Sequence, residues 1–407
     1  MKMNYKLSQI LDAYKDQKNY PTVESICLKF KLKKRALNRL IKKAIESGEQ
    51  IDMRKGGSGV TKNEQISFQE ENKFQREIVV LRQNIQALKS RLEIAHHEQA
   101  TNERLINLIH EAKSVSFQND KDWLDYKNGK GNHANTPVLF LSDIHFDEVV
   151  EPAHIEYVNE YNHDICVQRL KNCFNRTIEI LKIKMTGFKY NGIVLALGGD
   201  IVSGNIHEEL AETNDATILQ TIVSAVQIIG DGIGELADVF GKVYVPCVVG
   251  NHGRIHKKPR FKYRVQQNYE WLIYQLLAKR FISDKRITFD IPESTDITFK
   301  VANTTFLLTH GDQFKGGNGI SGIFTPIMLG MSKKLKRQSA LHRAFDVMMI
   351  GHFHQLIMTN SLIINGSCKG FDEFSAGMNF SYEEPQQALF LVHPEHGMTI
   401  RIPVKCK

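Results

Sequence analysis

Five short segments bearing Asp, His and Asn side chains each follow an apolar run, and together they constrain this chain more than any other feature. They are Asp143-Ile144-His145, Gly199-Asp200, Gly250-Asn251-His252, His310-Gly311-Asp312 and Gly351-His352-Phe353-His354. The preceding runs, at 138–141, 193–197, 243–249 and 347–350, are short and rich in β-branched residues, and 305–308 leads into His310 in the same way. Runs without a polar face are the pattern of parallel strands buried on both sides. In an open α/β sheet, ligand sites form beyond the strand ends. Carboxylate, imidazole and amide groups delivered there make a concentrated set of metal donors.

The 407 residues allow more than one domain. Hydrophobic content of 42% and charged content of 24% are those of an ordinary globular protein. No run approaches the length needed to span a bilayer, and the N-terminus does not lead into a signal-peptide core. The six cysteines are scattered, with no Cys-x-x-Cys pair. They read as reduced residues, so the expected location is cytoplasmic, with no membrane partner.

Charge is segregated. Residues 1–65 hold 15 Lys and Arg against 7 Asp and Glu, the whole of the formal net charge of +8, while the remainder balances at 38 of each sign. Such asymmetry points to a polyanionic partner. Residues 1–55 read as three short helices. Leu7, Ile10, Leu11 and Tyr14 have helical spacing, Pro21 interrupts the chain, and Thr22 is placed to cap a second helix with Val23, Ile26, Cys27 and Phe30 inward. A third helix turns Leu37, Leu40, Ile41 and Ala44 inward. This small basic domain resembles a helix-turn-helix, with Lys34, Arg35, Asn38, Arg39 and Lys42 as its candidate nucleic-acid contacts.

After the Gly56-Gly57-Ser58-Gly59 break, apolar positions recur in heptads through Phe74, Ile78, Leu81, Ile85, Leu88, Leu92 and Ala95. Ile at a with Leu at d favours a parallel pair of helices, so a homodimeric coiled coil is expected over 66–114. Residues 115–135 read as a linker. From 136 onward strand and helix patterns alternate, with helices near 163–186, 210–239 and 264–282 and strand-like runs after about 285.

The five segments in this order resemble the calcineurin-like metallophosphoesterase superfamily, over roughly residues 136–403. The resemblance implies an α/β fold of two mixed β-sheets flanked by helices, here preceded by a small all-α domain and a coiled coil. It implies one metal ion on Asp143, His145, Asp200 and His354, and a second on Asp200, Asn251, His310 and His352, with Asp200 bridging. It also implies that glycines before Asp200, Asn251 and His352 permit tight turns, and that His252 contacts phosphate or acts as general acid. Mixed N/O ligation suits Mn²⁺, Fe or Zn²⁺ better than Mg²⁺. The chain departs from the pattern at Gly253, where many members carry an acidic residue. Ile201-Val202-Ser203-Gly204 contains no Asp-Arg-Gly triplet, which counts against the phosphoprotein phosphatase branch.

Two basic segments flank these motifs. Arg254, Lys257, Lys258 and Arg260 follow His252 directly and are expected to meet the substrate, with Phe261 and Tyr263 interleaved as in grooves that stack bases. Lys333, Lys334, Lys336 and Arg337 form the other segment. The glycine-rich stretch 315–322 lacks a phosphate-loop ending and reads as a site rim, as does His207. The expected function is a dinuclear metal-dependent nuclease acting on DNA. The alternatives are a hydrolase of small phosphoesters and a DNA-binding protein whose phosphoesterase domain has lost turnover.

Overall fold

A computed structural model describes residues 7–16, 18–48, 83–86, 89, 121–124, 134–315 and 322–407. The chain forms two compact units, 1–96 and 97–407. The first contains α1 (Leu7–Lys15), α2 (Val23–Phe30) and α3 (Lys34–Glu46). Thr22 caps α2 in a reciprocal capping box with Ser25, and Lys31 ends it in the left-handed region. Ile10, Leu11, Tyr14, Ile26, Phe30, Leu37 and Ile41 close a small core. Within the expected coiled coil, 83–86 and 89 are helical, and the other positions of 66–114 lie outside the described residues.

The second unit is a four-layer α/β/β/α sandwich. One sheet has the order β11-β10-β1-β2-β3-β4. Its strands are β1 (Thr136–Leu141), β2 (Ile193–Leu197), β3 (Val243–Pro246), β4 (Ile287–Asp290), β10 (Gln386–His393) and β11 (Gly397–Lys405). β1 to β4 are parallel, β10 joins β1 antiparallel, and β11 lies at the edge antiparallel to β10. The other sheet, β5-β6-β7-β9-β8, is also mixed. It comprises β5 (Asp296–Val301), β6 (Thr304–Thr309), β7 (Val347–Ile350), β8 (Ile357–Met358) and β9 (Leu362–Ile364).

Alternation along the strands divides the core. Val138, Phe140, Val194, Ala196 and Tyr244 face Phe299, Phe306, Leu308 and Met349 between the sheets. Leu139, Leu141, Leu195 and Val245 face the other way, onto α4 (His163–Glu179), α6 (Ile218–Phe240) and α7 (Tyr269–Arg280). Behind the second sheet, Leu307, Met348 and Ile350 pack on Ile327 of α8 (Phe324–Ala340).

Several expectations need correction. The helix expected over 210–239 is two helices, α5 (Glu208–Thr213) and α6, separated at Asn214. The run 243–249 forms a strand only to Pro246; beyond it a single bridge joins Cys247 to Leu197, and Val248 N donates to Leu197 O at 2.9 Å. The 115–135 stretch is not all linker: Trp123 and Leu124 pack into the inter-sheet core, and Lys121 Nζ lies 2.7 Å from Asp290.

Candidate metal centre

The loops leaving β1, β2, β3, β6 and β7 meet at one edge of the sandwich. Backbone hydrogen bonds continue past the strand ends and lock them together. Asp143 N donates to Gly199 O at 3.0 Å, His145 N to Asp200 O at 3.0 Å, and Gly351 N to His310 O at 2.9 Å. Asp143, His145, Asp200, His352 and His354 all have positive φ, between 50° and 68°. Asp and His are among the residue types enriched there. Each such residue still costs on the order of 1–3 kcal/mol, and strain of this kind collects at functional sites.

Glycines allow the approach, but not all by the turn geometry expected. Gly199 does have φ +89. At Gly250 and Gly351 the constraint is contact: a Cβ would stand 2.1 Å from Asp200 Oδ1 and 2.3 Å from Asp143 Oδ2, respectively. The backbone therefore passes against each carboxylate.

All seven candidate ligands come together. Ligand atoms of Asp143, His145 and His354 lie within 4.8 Å of one another, as do those of Asp200, His310 and His352 and those of His145, Asp200 and His252. Asp200 thus belongs to two of the three groups. The Nε2 atoms of His145 and His354 are 3.1 Å apart, and His310 Nε2 is 3.0 Å from Asp200 Oδ2 and 3.2 Å from Asn251 Oδ1. His310 Nδ1 donates to Gly198 O at 2.9 Å, leaving the Nε2 lone pair for a cation.

The electrostatics fit a cation-binding set. Burial opposes charge on His310, yet the Asp200 and Asp143 carboxylates outweigh it and push its pKa up to about 10. Burial also opposes ionisation of Asp200, but the imidazoles of His310, His252 and His145 hold its carboxyl well below the usual range. The buried carboxylates therefore demand positive charge at this point, which divalent ions on the same donors would supply. Burial, with charged or imidazole neighbours, pushes His145 and His352 down to about 4, favouring the neutral ring that ligates metal.

His252 is held by two contacts. Its backbone N–H donates to Asp200 Oδ1 and its Nδ1 to Ser203 O, both at 2.8 Å. Its ring meets that of His145 edge-on at 4.5 Å, and the exposed His207 ring lies 5.4 Å away. Gly253 leaves room for an acid from elsewhere. A Cβ there would lie 2.4 Å from Asn268 Oδ1 and 2.7 Å from Glu270 Cγ. Fully buried Glu270 accepts from Ile201 N at 2.9 Å and Gly250 N at 2.7 Å, joining the loops of Asp200 and Asn251.

Sequence reasoning missed Glu270, because an acid near a helix start reads as a dipole partner. It also missed the buried chain behind His145. His145 Nδ1 lies 3.1 Å from Glu148 Oε2 without hydrogen-bond angles, Glu148 pairs with Lys369 at 2.7 Å, and Lys369 pairs with Asp372 at 2.5 Å.

The basic residues separate into two kinds. Arg254 lines the small pocket beside Gly250 and Asn251, and its guanidinium donates to the carbonyls of His256, Asn251 and Lys257. Lys257 pairs with exposed Glu208 at 2.7 Å. Lys258 and Arg260 are exposed, with no acidic partner among the described residues. In the second segment Lys334 is buried, 2.6 Å from Asp296, and Arg337 joins the same carboxylate at 2.5 Å. Those two hold α8 to β5. On α3, Arg35, Asn38, Arg39 and Lys42 are exposed, while Lys34 pairs with Glu24 at 2.7 Å. Residues 316–321 of the glycine-rich stretch lie outside the described residues.

No protein-family model matches this sequence, and no curated protein matches it. Among solved structures, a predicted phosphoesterase from Streptococcus pneumoniae is 10% identical, with 67% of this chain and 99% of that one covered at a TM-score of 0.26. A dimetal phosphatase from Danio rerio is 9% identical over the same shares, with a TM-score of 0.32. Phosphopantetheinyl hydrolase from Mycobacterium tuberculosis is 10% identical, over 58% of this chain and 89% of that one, with a TM-score of 0.24. Likeness at this level carries no weight for the chemistry, which rests on the side chains above.

Proposed function

We propose that the chain is a dinuclear metal-dependent phosphodiesterase that hydrolyses DNA. The carrying observation is the convergence of seven donor side chains from five strand ends, with Asp200 common to two of the clusters. Asp143, His145, Asp200 and His354 would hold one ion, and Asp200, Asn251, His310 and His352 the other. Two divalent ions on such a set acidify a water and neutralise charge on a phosphodiester. The mixed N/O donors suit Mn²⁺, Fe or Zn²⁺.

The chain's own residues do the rest. Glu270 and the Ser203 carbonyl keep the Asn251–His252 turn in register with Asp200. With Nδ1 tied to that carbonyl, His252 keeps Nε2 for a proton, to be given to the leaving-group oxygen. The basic first unit, with α3 exposing Arg35, Asn38, Arg39 and Lys42, brings the enzyme to a polyanion. A coiled coil over 66–114 would pair two such units on a duplex.

The test incubates the protein with Mn²⁺ and labelled single- and double-stranded DNA, beside Asp200→Asn and His252→Ala. Cleavage lost in both variants supports the reading. Hydrolysis of bis(p-nitrophenyl) phosphate with inertness towards DNA would instead assign a small phosphoester.

A further inference from the structure

We propose that the loop 254–267 is a stacking clamp for unpaired nucleic acid, with Phe261 taking a base face and Lys258, Arg260 and Lys262 the neighbouring phosphates. This rests on the reading of the site as a DNA phosphodiesterase and names the form of nucleic acid that it takes.

The loop leaves the site immediately after Asn251 and His252 and returns at Asn268. Its base is closed: Ile255 N donates to Gln267 O at 3.2 Å, and Tyr269 N to Gly253 O at 2.7 Å. Arg254 braces the inside through three carbonyls, and Arg264 pairs with Asp312, two residues from His310. Asn251, Arg254, Lys258, Arg260 and Asp312 line one small cavity of about 20 Å³ at the base of the loop. The loop is therefore a stiff arm continuous with the metal centre.

Its tip is arranged for a ligand that is both planar and anionic. Phe261 is 93% exposed and Tyr263 69% exposed. One exposed aromatic is ordinary on a protein surface. Here two stand one residue apart, on a braced loop, among three cations without acidic partners among the described residues. Tyr263 has φ +55, a conformation uncommon for a bulky side chain. Alternating aromatic and basic groups grip single strands, because the bases offer π-faces while the phosphates meet the cations. In an intact duplex those faces are already stacked on neighbouring pairs. An anionic membrane could also meet exposed Phe and Lys, but this loop starts directly after Asn251 and His252 and is closed at its base beside them, so a strand held at its tip is kept close to the proposed phosphodiester-cleaving site.

The experiment uses full-length Phe261→Trp in EDTA, so that nothing is cleaved, with wild-type emission from Trp123 and Trp271 subtracted. An oligothymidylate, a duplex of equal charge and phosphatidylserine vesicles are titrated in turn, and labelled-DNA anisotropy reports total binding. Emission from the introduced indole should be quenched by the single strand alone, and Phe261→Ala should weaken its binding by about tenfold. DNA bound without quenching overturns the clamp even if the protein cleaves DNA. An equal response to duplex, or a response to vesicles alone, also overturns it. Quenching in a protein that cleaves no DNA supports the clamp and removes the nuclease reading instead.

Discussion

Replacing Glu270 by Gln changes almost no volume, yet it should loosen the join between the loops that carry Asp200 and Asn251. Both groups facing the carboxylate are donors, Ile201 N at 2.9 Å and Gly250 N at 2.7 Å. A glutamine amide presents one acceptor and one NH₂ group, so one backbone N–H must face another donor. Hydrogen bonds to charged groups contribute about 1.5–3 kcal/mol, and a buried N–H left without a partner costs about 1–3 kcal/mol. Some relief opposes this. Burial, and then the Asp200 charge, push the Glu270 pKa up to about 8. The paired N–H donors nevertheless describe a carboxylate, since a neutral acid would have to place its own proton away from both. The net destabilisation is about 2–4 kcal/mol, and at roughly 2–4 °C per kcal/mol the melting temperature should fall by about 5–15 °C. Because Glu270 supports ligands it does not touch, Mn²⁺ affinity should drop by about 10- to 100-fold. Differential scanning calorimetry and metal titration read the two effects. A Gln variant with wild-type melting temperature and Mn²⁺ affinity would refute the reasoning.

Gly250→Ala should abolish high-affinity metal binding, because its Cβ would stand 2.1 Å from Asp200 Oδ1, whereas Gly234→Ala on α6 meets nothing within 4 Å. The latter should raise stability by about 0.5–1 kcal/mol in denaturant melts and leave metal content unchanged. At Asp372 burial opposes ionisation, but Lys369 outweighs it and holds the pKa down to about 2. A depressed carboxyl contributes stability above its unfolded pKa, near 4, and loses it as pH falls towards 2. That contribution is about 2 kcal/mol. Asp372→Asn keeps the cap on α9 (Glu373–Gly377), so its stability measured by urea melts should differ from wild type at pH 6 and converge with it near pH 2.

What was legible in the sequence was whatever a local pattern carries. Strands buried on both faces announce themselves as unbroken apolar runs, so β2 and β7 have the expected bounds. The meeting of the seven candidate metal-binding side chains was implied by the family resemblance of the motifs that end those runs. By contrast β4, four residues long and ending in Asp290, has too little periodicity to stand out. Lys334 reads as a solvated cation and is buried only because Asp296, 38 positions earlier, waits for it. Glu270 filling the space above Gly253, and Arg254 turning onto backbone carbonyls, depend on where a loop returns. No local spacing records that.

The most direct measurement is the number of Mn²⁺ ions bound per chain at equilibrium, by dialysis followed by elemental analysis. Two ions per chain, with Asp200→Asn losing affinity at both sites, is the predicted result, because that carboxylate groups with His145 of one proposed site and with His310 and His352 of the other. One ion or none in the wild type, or two retained at full affinity without Asp200, would contradict a dinuclear centre.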